Sequence, residues 1–343
     1  MLGEAAHGNG HSDSFKSSLV EQLVTRCGFR AVLFESSVYE FVPIWRAKQA
    51  RQNITPSMIG TAVGGLWKFD REFQPLLGFL ARRASQGLFV GGVDFQIGGL
   101  EQDFANSAMI LELTTGLSPS QVKSCRELSE ARMLNGLTAD QRTQATACIS
   151  AIEMNISASK GQRGQEQRLM MSNLDAIFDA GFEHGHGPFI AVRDRQMFQN
   201  VQHLLAQLPR GTKTIIWTAN AHAANGAPEE SGFAEIRNLG SYIRQAYGSR
   251  SFALATTAWT GDQRWSKQHK PLPSAPAGSL EARTFGSGST LSVFYDSAAL
   301  KKFGPTASGI FGHRYTSADW WQRFDGVVVF REEHAAFSSR YAN

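Results

Sequence analysis

Apolar residues recur along this chain in two rhythms: short dense runs, and longer stretches spaced by three and four. Their alternation predicts an α/β protein with a mostly parallel sheet. The dense runs are "FRAVLFE" ending at Glu35, "LFVGGVD" ending at Asp94, "KTIIWT" from Lys213 to Thr218, "SFALATT" from Ser251, "LSVFYD" from Leu291 and "GVVVF" from Gly326. Each reads as a short buried strand. The first spaced stretch reads as a helix capped by Ser12, with Phe15, Leu19, Leu23 and Cys27 on one face, Val20 and Val24 beside them, and Gly28 as terminator. Further helices are predicted around Phe69 to Arg83 and from Phe189 to Leu208. Strand, helix, strand in succession implies a right-handed parallel crossover. Met1 to Gly3 would then close a strand that is nearly missing. Two or three residues look too few for a central sheet position, which predicts a truncated start.

Between Asp94 and Gly187 the strand pattern stops. Ser118-Pro119 opens a helix, Thr138 with Gln141 forms a capping box, and an amphipathic stretch runs from about Gln165 to Phe182. Residues 1–95 and 187–343 therefore read as the two parts of an α/β core, and 96–186 as an inserted helical lobe. "KPLPSAPAGS", Lys270 to Ser279, reads as a loop.

Composition narrows the function classes. A formal charge of +4, without a dense Lys/Arg block, argues against nucleic acid as a partner. No apolar run is long enough for a membrane span, and no signal segment is visible, which predicts a cytoplasmic protein unless an upstream segment is missing. Cys27, Cys125 and Cys148 lack metal-ligand spacing and read as buried free thiols in a reducing compartment. Oligomeric state is not legible.

The informative feature is where the polar residues fall. Glu4 and His7 follow the first strand, Glu35 and Asp94 end the next two, and His222 follows the strand at Lys213–Thr218. The carboxyl ends of parallel strands share one edge, where open α/β sheets bind ligands. Each residue alone has a bland explanation, and their coincidence points to a site. Gly3 and Gly8 flank the Glu4/His7 pair, and Asn220 shares a small-residue loop with His222. Arg193 and Asp194 read as the start of a helix, with Asp194 facing its dipole and Arg193 able to reach the carboxylates.

In order and spacing, "LGEAAHG", Lys16, "GFRAVLFES", "VGGVDFQ", "RDRQMFQNV", "IIWTANAHAANG", "LGSYIRQAYGSRSFALATT" and "FDGVVVFRE" resemble the erythromycin esterase family, whose wider group takes in ChaN-like and Tiki/TraB-like proteins. The resemblance implies a three-layer α/β/α core with helical additions and metal-independent hydrolysis of an ester or lactone, macrolides included. It implies His7 as general base on water, with Glu4 and Glu35 in support, and His222 as the second histidine of a W-x-H-N-x-H segment. The first histidine of that segment is replaced here by Ala219.

The residues themselves suit that chemistry. His7 is the side-chain type for a base near neutral pH, and a flanking glutamate fixes its tautomer. No G-x-S-x-G elbow is present, so activated water replaces a covalent nucleophile. Lys16, Arg193, His222 and the backbone N–H groups of residues 8–10 are candidate oxyanion donors, with His11 as a helper. No cofactor is required. Two alternatives stay open: Glu4, His7, Glu35 and His222 as ligands of a divalent metal with Asp94 behind them, or a non-catalytic binding protein. "EHGHG", Glu183 to Gly187, reads as a turn, and Trp67, Trp259 and Trp265 as core residues or as the walls of an apolar crevice.

Overall fold

The computed structural model describes residues 1–97, 103–130, 138–182, 186–226, 236–286 and 290–341. Its strands are β1 (Phe29–Ser37), β2 (Phe89–Asp94), β3 (Lys213–Trp217), β4 (Leu254–Trp265), β5 (Gln268–Pro271), β6 (Ser292–Asp296), β7 (Thr306–Phe311), β8 (Arg314–Ala318) and β9 (Gly326–Glu333). The strands β2, β1 and β3 pair in parallel in that spatial order; β4 pairs in parallel with β9, and β6 runs antiparallel on the far side of β9.

Met1 to Gly3 join these two groups, and here the expectation that so short a stretch cannot hold a central position is corrected. Leu2 bridges Trp217 on one side and Leu254 on the other, both in parallel. Its N–H donates to Ile216 at 2.8 Å and its carbonyl accepts from Thr218 at 3.0 Å. Across the other edge, the N–H of Gly3 donates to Leu254 at 2.7 Å and that of Leu254 donates to Met1 at 3.0 Å. Backbone bonds on both edges hold a short segment that side-chain packing alone could not.

Successive residues of the strands face opposite ways, as a pleated sheet requires. On one side Val32, Phe34, Ile215, Trp217 and Val328 pack with Val20 and Val24 of the first helix and with the helices Val42–Gln49, Pro56–Val63 and Gln74–Ser85. On the other, Leu33, Val93 and Ile216 pack with Met197, Val201 and Leu204 of helix His186–Ala206. Helices Pro119–Glu130, Ala139–Ile156 and Gly161–Phe182 share that second cluster through Cys125, Ile152 and Leu174. Between Asp94 and His186 every described regular element is helical, and Thr138 with Gln141 forms the expected capping box.

Several local expectations are corrected. The first helix runs Gly10–Arg26 with Asn9, not Ser12, at its N-cap, and the buried carboxylate of Glu333 accepts from the backbone of His11 and the hydroxyl of Ser12 at 2.6 Å each. Its most buried face begins with Ser12, Asp13, Lys16 and Ser17 and only then continues as Val20 and Val24. The apolar set Phe15, Leu19 and Leu23 is only partly buried. Lys270 already pairs within the β4–β5 hairpin, and Ser279 caps helix Leu280–Phe285. The hairpin β7–β8 has no counterpart in the sequence reading. Cys125 and Cys148 form a disulfide between neighbouring helices, while Cys27 is free and exposed at a helix end. They are therefore not three buried free thiols. Glu183 to Gly185 lie outside the described residues, and helix His186–Ala206 begins beside them. Among the described residues no helix is long and apolar enough to cross a membrane.

Candidate active site

The loop after Gly3 turns sharply because its backbone is anchored on all sides. The carbonyl of Glu4 accepts from Asn220 at 2.8 Å, that of Ala5 from Gly312 at 2.9 Å and that of Gly8 from Ala336 at 2.8 Å. A Cβ on Gly3 would overlap Asn220 Oδ1, and Gly8 has φ +88°, a left-handed conformation that favours glycine. The loop thereby carries Glu4 and His7 over the carboxyl ends of β1 and β3.

His7 lies between two carboxylates. Its Nδ1 is 2.6 Å from Glu4 Oε1, so a proton on Nδ1 is donated there and Nε2 keeps its lone pair. Nε2 is 3.9 Å from Glu35 Oε1, beyond direct hydrogen bonding. The edge of Trp67 closes another side at 5.3 Å between ring centroids. The His7 side chain is 30% exposed, whereas Glu4 and Glu35 are buried. Burial opposes protonation of His7, but the Glu4 bond and the charge of Glu35 outweigh it and raise its pKa above the ordinary histidine value.

Behind Glu4 stands Lys16, completely buried, with Nζ 2.6 Å from Glu4 Oε2 and 4.0 Å above the Trp217 ring. Burial works against the Glu4 charge, yet Lys16 and His7 hold its pKa below the usual value. Lys16 thus braces Glu4 from inside the protein.

Glu35 anchors the other half. Its Oε2 accepts from Thr218 Oγ1 at 2.7 Å and from the backbone of Ala219 at 2.8 Å. Its Oε1 accepts from Arg193 Nη2 at 2.8 Å and lies 3.2 Å from His222 Nε2. Against the cost of burial, His222 and Arg193 hold the Glu35 carboxyl well below the usual carboxylate range. Arg193 Nη2 also donates to Asp94 Oδ2 at 2.7 Å. His222 Nδ1 donates to Asp194 Oδ1 at 2.7 Å. Burial opposes the His222 charge, and the Arg193 guanidinium opposes it too, but Asp194 and Glu35 dominate and push its pKa up to about 10.

Of the residues singled out in the sequence, Glu4, His7, Glu35, Asp94, Arg193, His222 and Lys16 fall in one connected network. Asn220 and His11 do not. The Asn220 side chain donates to the carbonyls of Thr256 and Ile310 at 2.8 Å each, tying β4 to β7. His11 stacks on Phe330 at 4.4 Å, with Nδ1 3.0 Å from the Glu332 carbonyl. Asp194 joins the network although the sequence reading places it at a helix start. The helix begins at His186, which puts Arg193 and Asp194 in its interior. A charged pair inside an apolar helical stretch was the available signal. Trp67 is buried against His7, Trp259 stacks on Phe285, and Trp265 is exposed at the end of β4.

Among the described residues no group of three or more His, Cys, Asp and Glu side chains is arranged to hold a metal ion. The carboxylates instead face Lys16, Arg193 and His222, cations that compete with a metal for the same oxygens.

The erythromycin esterase family model matches residues 24–333. No curated protein matches the chain. Among solved structures, the chain resembles a Bacillus cereus protein at TM-score 0.74 and 17% identity, over 98% of this chain and 88% of that one. It also resembles a succinoglycan biosynthesis protein at 0.75 and 16% identity, again over 98% and 88%. A third similar structure is a histidine mutant of the erythromycin esterase EreC in its open conformation, at TM-score 0.72 and 15% identity over 100% of this chain and 92% of that chain. At such identities these structures bear on the fold alone.

Proposed function

The chain belongs to the erythromycin esterase family, and from that premise and the site geometry we propose that it hydrolyses a carboxylic ester or lactone of a small molecule with water activated by His7. The observation that carries the reading is the imidazole held at Nδ1 by a buried glutamate, with Nε2 free, partly exposed and 3.9 Å from a second carboxylate. A water in reach of both Nε2 and Glu35 Oε1 gives its proton to the ring as it attacks the carbonyl carbon. Glu4 compensates the imidazolium that forms, as the orienting acid of a triad does. The imidazolium then returns the proton to the departing alkoxide, so protons balance over the cycle. Arg193 and His222 keep Glu35 ionised beside the attacking water. The macrolide lactone is the finer reading, taken from the erythromycin esterase relatives.

A panel of esters and lactones, read by the gain of one water in product mass, tests this with and without a strong chelator. Turnover that disappears in His7→Ala and survives chelation is the expected result. Wild-type turnover in His7→Ala, or loss of activity on chelation with recovery on adding a divalent metal, would sink it.

A further inference from the structure

The Trp67 ring stands nearly perpendicular to that of His7, at 5.3 Å between centroids, so the turn that carries Trp67 sets one wall around the imidazole. That turn closes with the N–H of Asp70 donating to the Trp67 carbonyl at 3.0 Å. His7 itself rides on the loop that continues through Gly8. A third segment joins the two. β4 pairs with β9 as far as Gly261, and its last residues, Asp262 to Trp265, run on into the hairpin with β5. Arg264 lies in that extension. Its backbone N–H donates to the Gly8 carbonyl at 3.2 Å, and a Cβ on Gly8 would stand 2.6 Å from the Arg264 carbonyl, so loop and hairpin pack backbone against backbone. Its side chain then reaches the other way. Arg264 Nη2 donates to Asp70 Oδ1 at 2.6 Å, and Nε donates to the Ala336 carbonyl at 3.1 Å. Ala336 in turn donates its N–H to Gly8 at 2.8 Å. Asp70 is completely buried and the Arg264 side chain is only 10% exposed, so water competes little for these bonds.

We propose that Arg264 is a positioning residue for the hydrolysis, a cross-tie that fixes the Trp67 turn against the loop carrying His7 and so holds the imidazole with Nε2 toward Glu35. This inference rests on the reading of His7 as the base. Arg264 acts through Gly8 and Asp70, the neighbours of the two residues whose rings meet. The guanidinium suits the task because its planar fork donates in two fixed directions at once, here to a carboxylate and to a carbonyl. A lysine ammonium is a point charge on a flexible stem and cannot hold both acceptors at that spacing. The Glu4 bond fixes one end of the His7 ring, and the Trp67 wall limits how the ring swings about that bond. Misplacing a reacting group by about 1 Å costs up to about a hundredfold in rate. Since the backbone bond from Arg264 to Gly8 survives any side-chain change, a smaller loss is expected.

The test is the nuclear Overhauser effect between the ring protons of His7 and Trp67, read by NMR on ring-labelled protein with the His7 signal assigned by its disappearance in H7Q. Removing one partner of a buried ion pair strands the other, so the main variant changes both: Arg264→Met together with Asp70→Asn keeps the volumes close and leaves neither charge behind. Arg264→Lys alone keeps the charge and loses the fork. In both variants most of the ring-to-ring signal should disappear while denaturant unfolding still shows a cooperatively folded protein. On any ester the protein turns over, kcat should fall roughly tenfold with KM nearly unchanged. A merely structural Arg264 would lower stability and leave the ring contact and kcat in place. A wild-type ring-to-ring signal in the folded double variant, its full rescue by lysine, or a loss of kcat/KM carried entirely by KM overturns the proposal. The ring contact is measured without turnover. An inactive protein that shows the expected loss of signal therefore fails only the esterase reading, and an active one whose signal stays unchanged fails only this inference.

Discussion

Replacing Glu35 with glutamine separates the support of the site from its chemistry. Glu35 serves Arg193, His222, the Thr218 hydroxyl and the Ala219 backbone at once. Glutamine keeps the volume but brings an uncharged amide against two cations. Removing one member of a buried ionic network costs about 3 to 5 kcal/mol. Arg193 retains Asp94 and His222 retains Asp194, so neither cation is fully stranded and the lower end, about 3 kcal/mol, is expected. That is a large share of the roughly 5 to 15 kcal/mol typical of a folded domain. Glu35→Gln and Glu35→Ala should therefore lose both turnover and stability. The pH dependence carries a sign. The Glu35 pKa is depressed below its ordinary 4.5, so its contribution is fully present above that pH and is lost as pH falls through the lowered folded value. Wild-type stability should fall more steeply into acid than that of Glu35→Gln, and the gap between them should close. Denaturant unfolding at a series of pH values measures both curves. A variant within about 0.5 kcal/mol of wild type at neutral pH, or a gap that persists undiminished into strong acid, would refute the network reasoning.

Since the His7 pKa is raised and the base must be deprotonated, kcat/KM should rise with pH to a plateau through a midpoint above 6.5; a pH–rate profile with its acid limb at or below that value contradicts the assignment. Ala219→His restores the histidine of the family segment while leaving the backbone bond to Glu35 in place, and it should raise or broaden hydrolysis of macrolide lactones in a product-mass assay; an unchanged rate counts against this account of the departure. The Cys125–Cys148 bridge closes a loop of sequence separation 23, and its replacement by two alanines should cost roughly 3 kcal/mol in denaturant unfolding, with no loss meaning that the pair is not bonded in solution.

Much of the candidate site was legible because strand ends are easy to read. β1 carries Glu35 near its end and β2 ends on Asp94, and parallel pairing makes their adjacency a matter of geometry. The polar face of the first helix was not legible. Ser12, Asp13, Lys16 and Ser17 look like a solvated side, whereas Phe15, Leu19 and Leu23 look like core. The order inverts because the helix crosses the edge where Glu4 needs a buried cation behind it. A pattern of hydrophobicity has no means of marking a residue buried for its charge. Asp194 was hidden by a boundary error, since the helix begins at His186 and the pair at 193 and 194 lies inside it. The disulfide depends on how two helices of the 96–186 segment pack, which no spacing of cysteines reveals.

The proposed role of His7 as a base makes a demand on the distribution of charge around an imidazole flanked by two glutamates. Two bare carboxylates in a protein interior would hold His7 as imidazolium far above neutral pH, and a protonated ring cannot take a proton from water. Here each carboxylate is already matched: Lys16 sits on Glu4, while Arg193 and His222 sit on Glu35. Protonating His7 therefore adds a charge to surroundings that are partly neutralised, and Lys16 directly opposes that charge. The pKa rises, but against a cation on one side and a desolvation cost on the other. Burial is divided along the same line, since Glu4, Lys16, Glu35, Asp94, Asp194 and His222 are all enclosed while the ring of His7 keeps contact with solvent. On the proposed mechanism, the group that exchanges protons with water is the one left at the surface, and the charges that set its affinity are held where solvent screens them least.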